Sequence, residues 1–531
     1  MKILFVLTIL ALGSTQARSE EVAFEKKTLE EQTKPNIPPL VHPDLGTSAS
    51  SADGEVKVTL IGKKQHYGAG PAETIDPDIN SPKSVNIHPN GKKYYVNSLE
   101  GCTTISYDFQ TGKKLKVIRH TFRDGDKDLW AETSGLYPFT HYKSNLNTFS
   151  GKPVESTFSH GGRYLWVPYY RRSYDINAQD PSAVAVIDTE TDSIVRILET
   201  GPLPKMITTS PDGKTVAISH WGNNTVGLID ISSEDSKEWH HTKMLVVDYI
   251  LPLNYPLDQS VDRDNGSGYA LRGTVFTPDG KYLLVGCMGG GGGIAVIDIN
   301  KQKYLGRVLG MRTNVRHLVI NNGYLYLSIN GAGVVQRVKL DDFMEKALNM
   351  KGSTTQVNNW EECAVGKGAR TISITSDGRY LFAACNTVSR LYVVDTQTMK
   401  SICNIPVDSY PVGLDLSVDG KLAFVTSQGR SNTGGNAVDI FEIEYKNPPV
   451  IEEVEEPVEE KAAENVEDET NVEHTSSNNY LYGGGAVAAI AVLGFAFYTF
   501  ISHSALKSLM VCSSERITFF FGVLLGRMIP E

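Results

Sequence analysis

The chain has 531 residues, among them 48 glycines and 24 tyrosines, and carries a formal net charge of −10. That length admits one large domain with tails or a few smaller domains. Runs of Val, Ile, Thr and Tyr broken by glycine favour an all-β chain, and the acidic balance excludes a general nucleic-acid binder, because phosphate recognition needs a positive surface.

Residues 1–17 open with a lysine at position 2, continue with an apolar run over residues 3–12 and end in Thr15-Gln16-Ala17. This is the pattern of a secretory signal peptide cleaved after Ala17, and the apolar run is too short to span a bilayer. Residues 18–54 are polar and dotted with proline, so they read as a linker.

From residue 55 to residue 447 one pattern recurs. It is clearest in residues 206–231, MITTSPDGKTVAISHWGNNTVGLIDI. A short strand at 207–209 leads into a Pro211-Asp212-Gly213 turn, in which glycine supplies a positive φ. An apolar strand at 216–219 and a third at 226–230 follow. The turn recurs seven times, at Asn90-Gly91, Gly161-Gly162, Asp212-Gly213, Asp279-Gly280, Asn322-Gly323, Asp377-Gly378 and Asp419-Gly420. Successive glycines lie 71, 51, 67, 43, 55 and 42 residues apart. The shortest spacings match the roughly 40–45 residues of a four-stranded propeller blade, and the longer ones mark insertions. The prediction is a seven-bladed β-propeller. Residues 55–61 alternate like a strand and precede the first repeat, so they are expected to complete the last blade as its outer strand and remove the exposed sheet edge.

The segments SPDGKTVAISHWGNNTVGLID (210–230), TPDGKYLLVGC (277–287) with IAVIDINKQKYLGRV (294–308), and SDGRYLFAACNTVSRLYVVDTQT (376–398) resemble the YVTN-type seven-bladed propellers, which are related in fold to lactonase-like and quinoprotein amine dehydrogenase-like propellers. The resemblance covers about residues 56–446 and implies the fold. Function has to be argued from a site.

Five insertions decorate the repeats. Those at 120–153, 170–182, 234–270 and 427–437 fall at positions that share one face of a propeller, whereas 341–359, with its helical DDFMEKALNM, falls on the other. Loops on a rigid scaffold concentrate binding residues, which makes the decorated face the candidate site. The residues just before each innermost strand read Lys83, Val154, Lys205, Arg272, Arg316, Arg370 and Val412. Propeller symmetry gathers the five cations at the mouth of the central channel, where they either bind an anion or pair structurally with neighbouring blades. His220-Trp221, with Tyr169, Tyr170 and Arg171 at equivalent places in the preceding blade, forms a second cluster; His220 reads either as a ligand or base, or as a packing histidine.

Other motifs point to no chemistry. Asp124, Asp126 and Asp128 alternate like calcium ligands but lack the glycine and glutamate of an EF-hand loop, and read as a solvated acidic loop. Residues 288–293, MGGGGG, lack the GK[ST] ending of a phosphate loop and read as a flexible turn. Cys102, Cys287, Cys363, Cys385 and Cys403 are an odd number and suggest no disulfide framework. No catalytic set, metal set or cofactor motif can be placed.

Residues 448–479 are rich in Glu, Val, Pro, Ser and Asn, a composition expected of an acidic, disordered stalk. Residues 480–501 contain no charge over 22 positions, enough for a transmembrane helix at about 1.5 Å per residue across a core of about 30 Å. Glutamates before this span and Lys507, Arg516 and Arg527 after it place residues 502–531 in the cytoplasm and the propeller outside, extracellular or periplasmic. The apolar run at 517–525 is too short to cross by itself. The functional expectation is a single-pass, membrane-anchored propeller that binds an anionic ligand or a protein partner through its decorated face without catalysis. The alternative is a lactonase-like or dehydrogenase-like enzyme working at the channel mouth.

Overall fold

The computed structural model describes residues 41–66, 72–263, 266–429 and 435–449. The expected signal peptide, transmembrane span and cytoplasmic tail, nearly all of the stalk and the first part of the linker lie outside these residues. Among the described residues no helix is long and apolar enough to cross a membrane.

Seven sheets, antiparallel but for one strand added to the fourth, follow one another along the chain and define a seven-bladed β-propeller. Blade 1 runs through Pro82–Ile87, Lys93–Ser98, Thr103–Asp108 and Lys114–Arg119, and blade 3 through Pro204–Thr209, Thr215–His220, Thr225–Asp230 and His240–Val246. Blades 4, 5 and 6 begin at Leu271–Phe276, Val315–Asn321 and Ala369–Ile374. Blade 7 holds Pro411–Leu416, Leu422–Ser427 and Ala437–Tyr445, and its fourth strand is Val56–Gln65 from the other end of the domain, paired antiparallel from Val56 with Tyr445 to Gln65 with Ala437. The expected closing strand is therefore present, running four residues further than its alternation indicated, and Ser48–Ser50 pairs on its outer edge.

The tight turns explain why the repeat is visible in the sequence. In blade 3 Asp212 Oδ1 accepts the Ser210 hydroxyl at 2.5 Å and the Lys214 amide at 3.1 Å, while Gly213 takes φ +69°. The same arrangement recurs at Asp279, Asp377 and Asp419, with Thr277, Thr375 and Ser417 as donors. A Ser or Thr, an Asp two residues later and a glycine thus close the hairpin by side-chain hydrogen bonds that favour this turn.

Burial follows the ring. Seven apolar clusters each lie between neighbouring blades, from Tyr95, Leu165 and Ile187 between blades 1 and 2 to Tyr94, Ile105 and Phe424 between blades 7 and 1. Each blade therefore buries both faces against its neighbours, which explains why the middle strands read as near-continuous apolar runs.

Two expectations need correction. The segment 234–270 is only partly an insertion, because His240–Val246 within it is the outer strand of blade 3. In blade 2 the innermost strand is only Thr157–Ser159, and Phe149–Pro153 from the preceding insertion pairs with the far end of Tyr164–Arg172. The helical expectation within 341–359 is met by Leu340–Leu348, which buries Leu340, Phe343 and Ala347 on one side between blades 4 and 5. Thr354–Gln356 then pairs parallel with Lys303–Leu309 of blade 4.

Candidate functional site

A recurring backbone irregularity aims the cations. In six blades the register of the innermost strand slips near its start, at Pro82/Val85, Pro204/Met206, Leu271/Thr274, Val315/His317, Ala369/Thr371 and Pro411/Gly413. Within these slips stand Lys83, Lys205, Arg272, Arg316, Arg370 and Val412. A bulge frees a residue from the ladder and redirects its side chain. The carbonyls at this level are tied across blades: the Ser219, Ser328 and Thr426 hydroxyls donate to the carbonyls of Arg272, Arg370 and Lys83 at 3.0, 2.5 and 3.0 Å. Thr371 does the same for Val412 at 2.7 Å, and Ser84 for Val154 at 2.8 Å.

The five cations meet as the repeat alignment predicts. The Trp221 indole lies 4.6 Å from Lys205 Nζ, 5.5 Å from the Arg272 guanidinium and 5.7 Å from that of Arg316, so one ring serves residues of blades 3, 4 and 5. Tyr170 covers Lys205 Nζ from another side at 4.2 Å. Burial, then Arg370, Lys205 and Arg272, push the Lys83 amine well below its ordinary value, against the opposing pull of Glu155. Burial, then Arg272, Arg370 and Arg316, do the same to Lys205. Arg272 Nη2 lies 3.7 Å from Glu155 Oε1. Arg370, which is 5% exposed, keeps a buried Nε without a hydrogen-bond partner among the described residues. Several positive groups drawn together in a poorly hydrated setting repel one another strongly.

Beyond the ring, side chains further along the innermost strands line a cavity of about 310 Å³ that includes Ser84, Glu155, His317, Thr371 and Asp415. His317 is lowered to about 4, first by burial and then by Arg272. Burial raises Asp415 to about 6, although Oδ2 accepts the Ile87 amide at 2.8 Å.

Three further expected site residues stand elsewhere. His220 is wholly buried: Thr200 Oγ1 lies 2.7 Å from Nε2, the Gly201 amide donates to the same nitrogen at 3.1 Å, Thr225 Oγ1 lies 2.8 Å from Nδ1, and Tyr137 packs edge-on at 5.6 Å. Burial lowers it to about 3, which favours the neutral imidazole held by these contacts. Tyr169 is also fully buried, with its hydroxyl 2.9 Å from Nδ1 of the equally buried His120. Arg171 donates to the Ile176 carbonyl within its own loop. Its neighbour Arg172 turns inward instead and stacks on Trp130, Phe139 and Phe149 at 5.3, 4.9 and 4.8 Å.

Insertions interlock beside Trp221. Its indole N–H donates to the Arg263 carbonyl at 2.8 Å, Asn177 donates to the Pro256 carbonyl at 2.6 Å, and Gln179 exchanges hydrogen bonds with the Tyr255 backbone. Asp180 accepts the amides of Thr140 and Tyr142 at 3.1 and 2.8 Å. Segments 120–153, 170–182 and 234–270 are thereby joined.

The motifs without assigned chemistry take local roles. Asp126 accepts the Arg123 amide at 2.7 Å at the start of a short 3₁₀ turn, Asp124–Leu129. The Arg307 guanidinium donates to the Gly292 carbonyl of the glycine-rich turn at 2.7 Å, and the five cysteines among the described residues are free.

The class defined by this architecture is the seven-bladed β-propeller with a cationic channel ring. No protein-family model matches the chain. Over 175 residues it is 22% identical to the antigen Lp49 of Leptospira interrogans, a match covering 29% of this chain and 36% of that protein. Among solved structures it is similar to the hydrazine synthase of Kuenenia stuttgartiensis, with TM-score 0.49, 15% identity and coverage of 71% of this chain and 99% of that one. It is likewise similar to the Cps50 (Swd1) β-propeller domain of Myceliophteria thermophila, with TM-score 0.46, 14% identity and coverage of 68% and 96%.

Proposed function

We propose that this chain is an exported, membrane-tethered propeller of the YVTN-repeat type that holds an anionic ligand, or an acidic segment of a protein partner, in its channel ring without turning it over. The observation that carries the reading is the convergence of Lys83, Lys205 and Arg370. None of these three reaches a carboxylate of the described residues within ion-pair distance, yet all are nearly buried and mutually repulsive. Structural cations are ordinarily buried with a partner; a set held together by the bulged strands of blades 1, 3 and 6 is arranged for an anion. The signal-like residues 1–17 and the uncharged stretch 480–501 support the export and tethering.

The test is thermal unfolding of the full-length chain with and without sulfate, citrate and an acidic peptide. Binding to the folded state at a concentration about a hundredfold above Kd stabilises by about 2.7 kcal/mol, which reads as a melting point a few degrees higher. Lys205→Gln combined with Arg370→Gln is expected to abolish this rise. If wild type and double variant respond alike to every anion, the ring is not the site.

A further inference from the structure

The channel beyond the ring has the opposite polarity. In six blades the residue that follows the ring position lines the cavity of about 310 Å³: Ser84, Glu155, Met206, His317, Thr371 and Gly413. The cavity therefore begins one residue past the ring, and Glu155 marks the junction, with Oε1 3.7 Å from Arg272 Nη2. Because burial and Arg272 keep His317 neutral at pH 7, the charged side chains of the lining residues are both carboxylates, Glu155 and Asp415. Glu155 has Arg272 as its counter-charge. Asp415 has none: among the described residues its carboxylate meets only backbone amides, Oδ2 that of Ile87 at 2.8 Å and Oδ1 that of Leu416 at 3.0 Å. Burial accordingly raises it to about 6, with no cation opposing the shift. Between these two levels the lining residues Val85, Ile372 and Leu414 are apolar.

We propose that the channel takes a small ω-amino acid, whose carboxylate sits among the ring cations and whose ammonium sits on Asp415. The inference rests on the anion-binding reading of the ring and adds a positive end to the ligand. A bare alkylamine would meet the cations of the ring without a charge to offset them, and a bare carboxylate would leave Asp415 without a counter-charge. A zwitterion satisfies both ends, and its methylenes lie against the apolar level between them. The chain descends three residues from the ring position Val412 to Asp415, roughly 10 Å of extended strand. An ammonium and a carboxylate joined by about four methylenes, with a hydrogen bond of about 3 Å at each end, cover that distance.

The experiment is calorimetric titration of the full-length chain with 5-aminopentanoate, pentanoate, pentylamine and sulfate. It is run at about pH 7.5, where Asp415 is ionised and an alkylamine carries its proton. The zwitterion is expected to bind tighter than pentanoate by about tenfold or more, as one hydrogen-bonded charge pair requires, and pentylamine is expected not to bind. These arms use wild type alone. Asp415→Asn should erase the preference for 5-aminopentanoate over pentanoate. Equal affinities for the two in wild type, or a preference that survives in Asp415→Asn, overturn the ω-amino acid and leave anion binding standing. Pentylamine that binds as tightly as 5-aminopentanoate overturns it as well, because the ring then contributes nothing to holding the zwitterion. Failure of sulfate, pentanoate and 5-aminopentanoate alike to bind removes the anion-binding reading and this inference with it.

Discussion

At the scale of single residues, the buried histidines and Asp415 pull stability in opposite directions with pH. Burial holds His120 and His220 at about 3, against 6.5 for the free side chain. The unfolded chain takes up a proton on each as pH falls through 6.5, while the folded chain does so only near 3. Their contribution is therefore complete above the unfolded value and drains away as the solution is acidified toward the folded one. Each group contributes at most about 1.4 kcal/mol per pH unit inside that window. Chemical denaturation between about pH 7 and about pH 5 is expected to show a steep acid loss, reduced by up to one proton's slope in His220→Gln, which starts from a lower stability because it disrupts the contacts with Thr200 and Thr225. Asp415 behaves in the reverse sense: burial raises it to about 6 from 3.8. It favours the folded state below its unfolded value and loses that contribution as pH rises through about 6. Asp415→Asn, which cannot ionise, should therefore gain stability relative to wild type as pH rises from about 4 to about 6. A difference between Asn and Asp that stays flat across this range would show that Asp415 ionises in the folded protein as readily as in water.

At the scale of elements, the closing strand is the test of how the ring holds together. Val56, Val58 and Leu60 are wholly buried between blades 6 and 7, and Val56–Gln65 covers the edge of Ala437–Tyr445. Removing residues up to 65 would expose that edge and a wide apolar face. The expected outcome is a melting point lowered by many degrees, with light scattering that rises with protein concentration as free edges pair. An unchanged melting point would place the closure elsewhere. The strand was legible because its apolar residues alternate, and the hairpins were legible because Asp212, Asp279, Asp377 and Asp419 each sit two residues after a hydroxyl donor and just before a glycine. The outer strand of blade 3 was hidden because HHTKMLV is half exposed and carries no apolar alternation. Two of the functional columns had unequal visibility for a similar reason. The cations stand at one offset before each hairpin turn, with Arg316 a single residue nearer, but Glu155 and His317 occupy the next position along, among Ser84, Met206, Gly273, Thr371 and Gly413, where no shared chemistry marks the column. For His220 both readings stayed open because its position at a strand end cannot reveal that Thr200, Gly201 and Tyr137, about 20 to 80 residues earlier in the chain, close around it together with nearby Thr225.

At the scale of the whole molecule, a chain of net charge −10 concentrates positive charge at one channel mouth. Low-dielectric walls focus such a field, which is the physical basis of the anion binding proposed for the ring. In the proposed orientation residues 448–479 are a spacer, and the propeller and this stretch should respond differently to protease. The folded body pairs or packs every blade against its neighbours, including the first against the last, so few backbone segments are open to cleavage without unfolding. The glutamate- and proline-rich residues 448–479 lack the apolar content needed to form such a core. Protease added to intact cells, or to spheroplasts where an outer membrane intervenes, is therefore expected to release a fragment that ends within this stretch and retains the melting transition and sulfate response of the intact chain. The membrane fraction should keep the remainder, including residues 480–531. A propeller protected from protease in both preparations until the membrane is dissolved would place it on the inner side and reverse the proposed orientation.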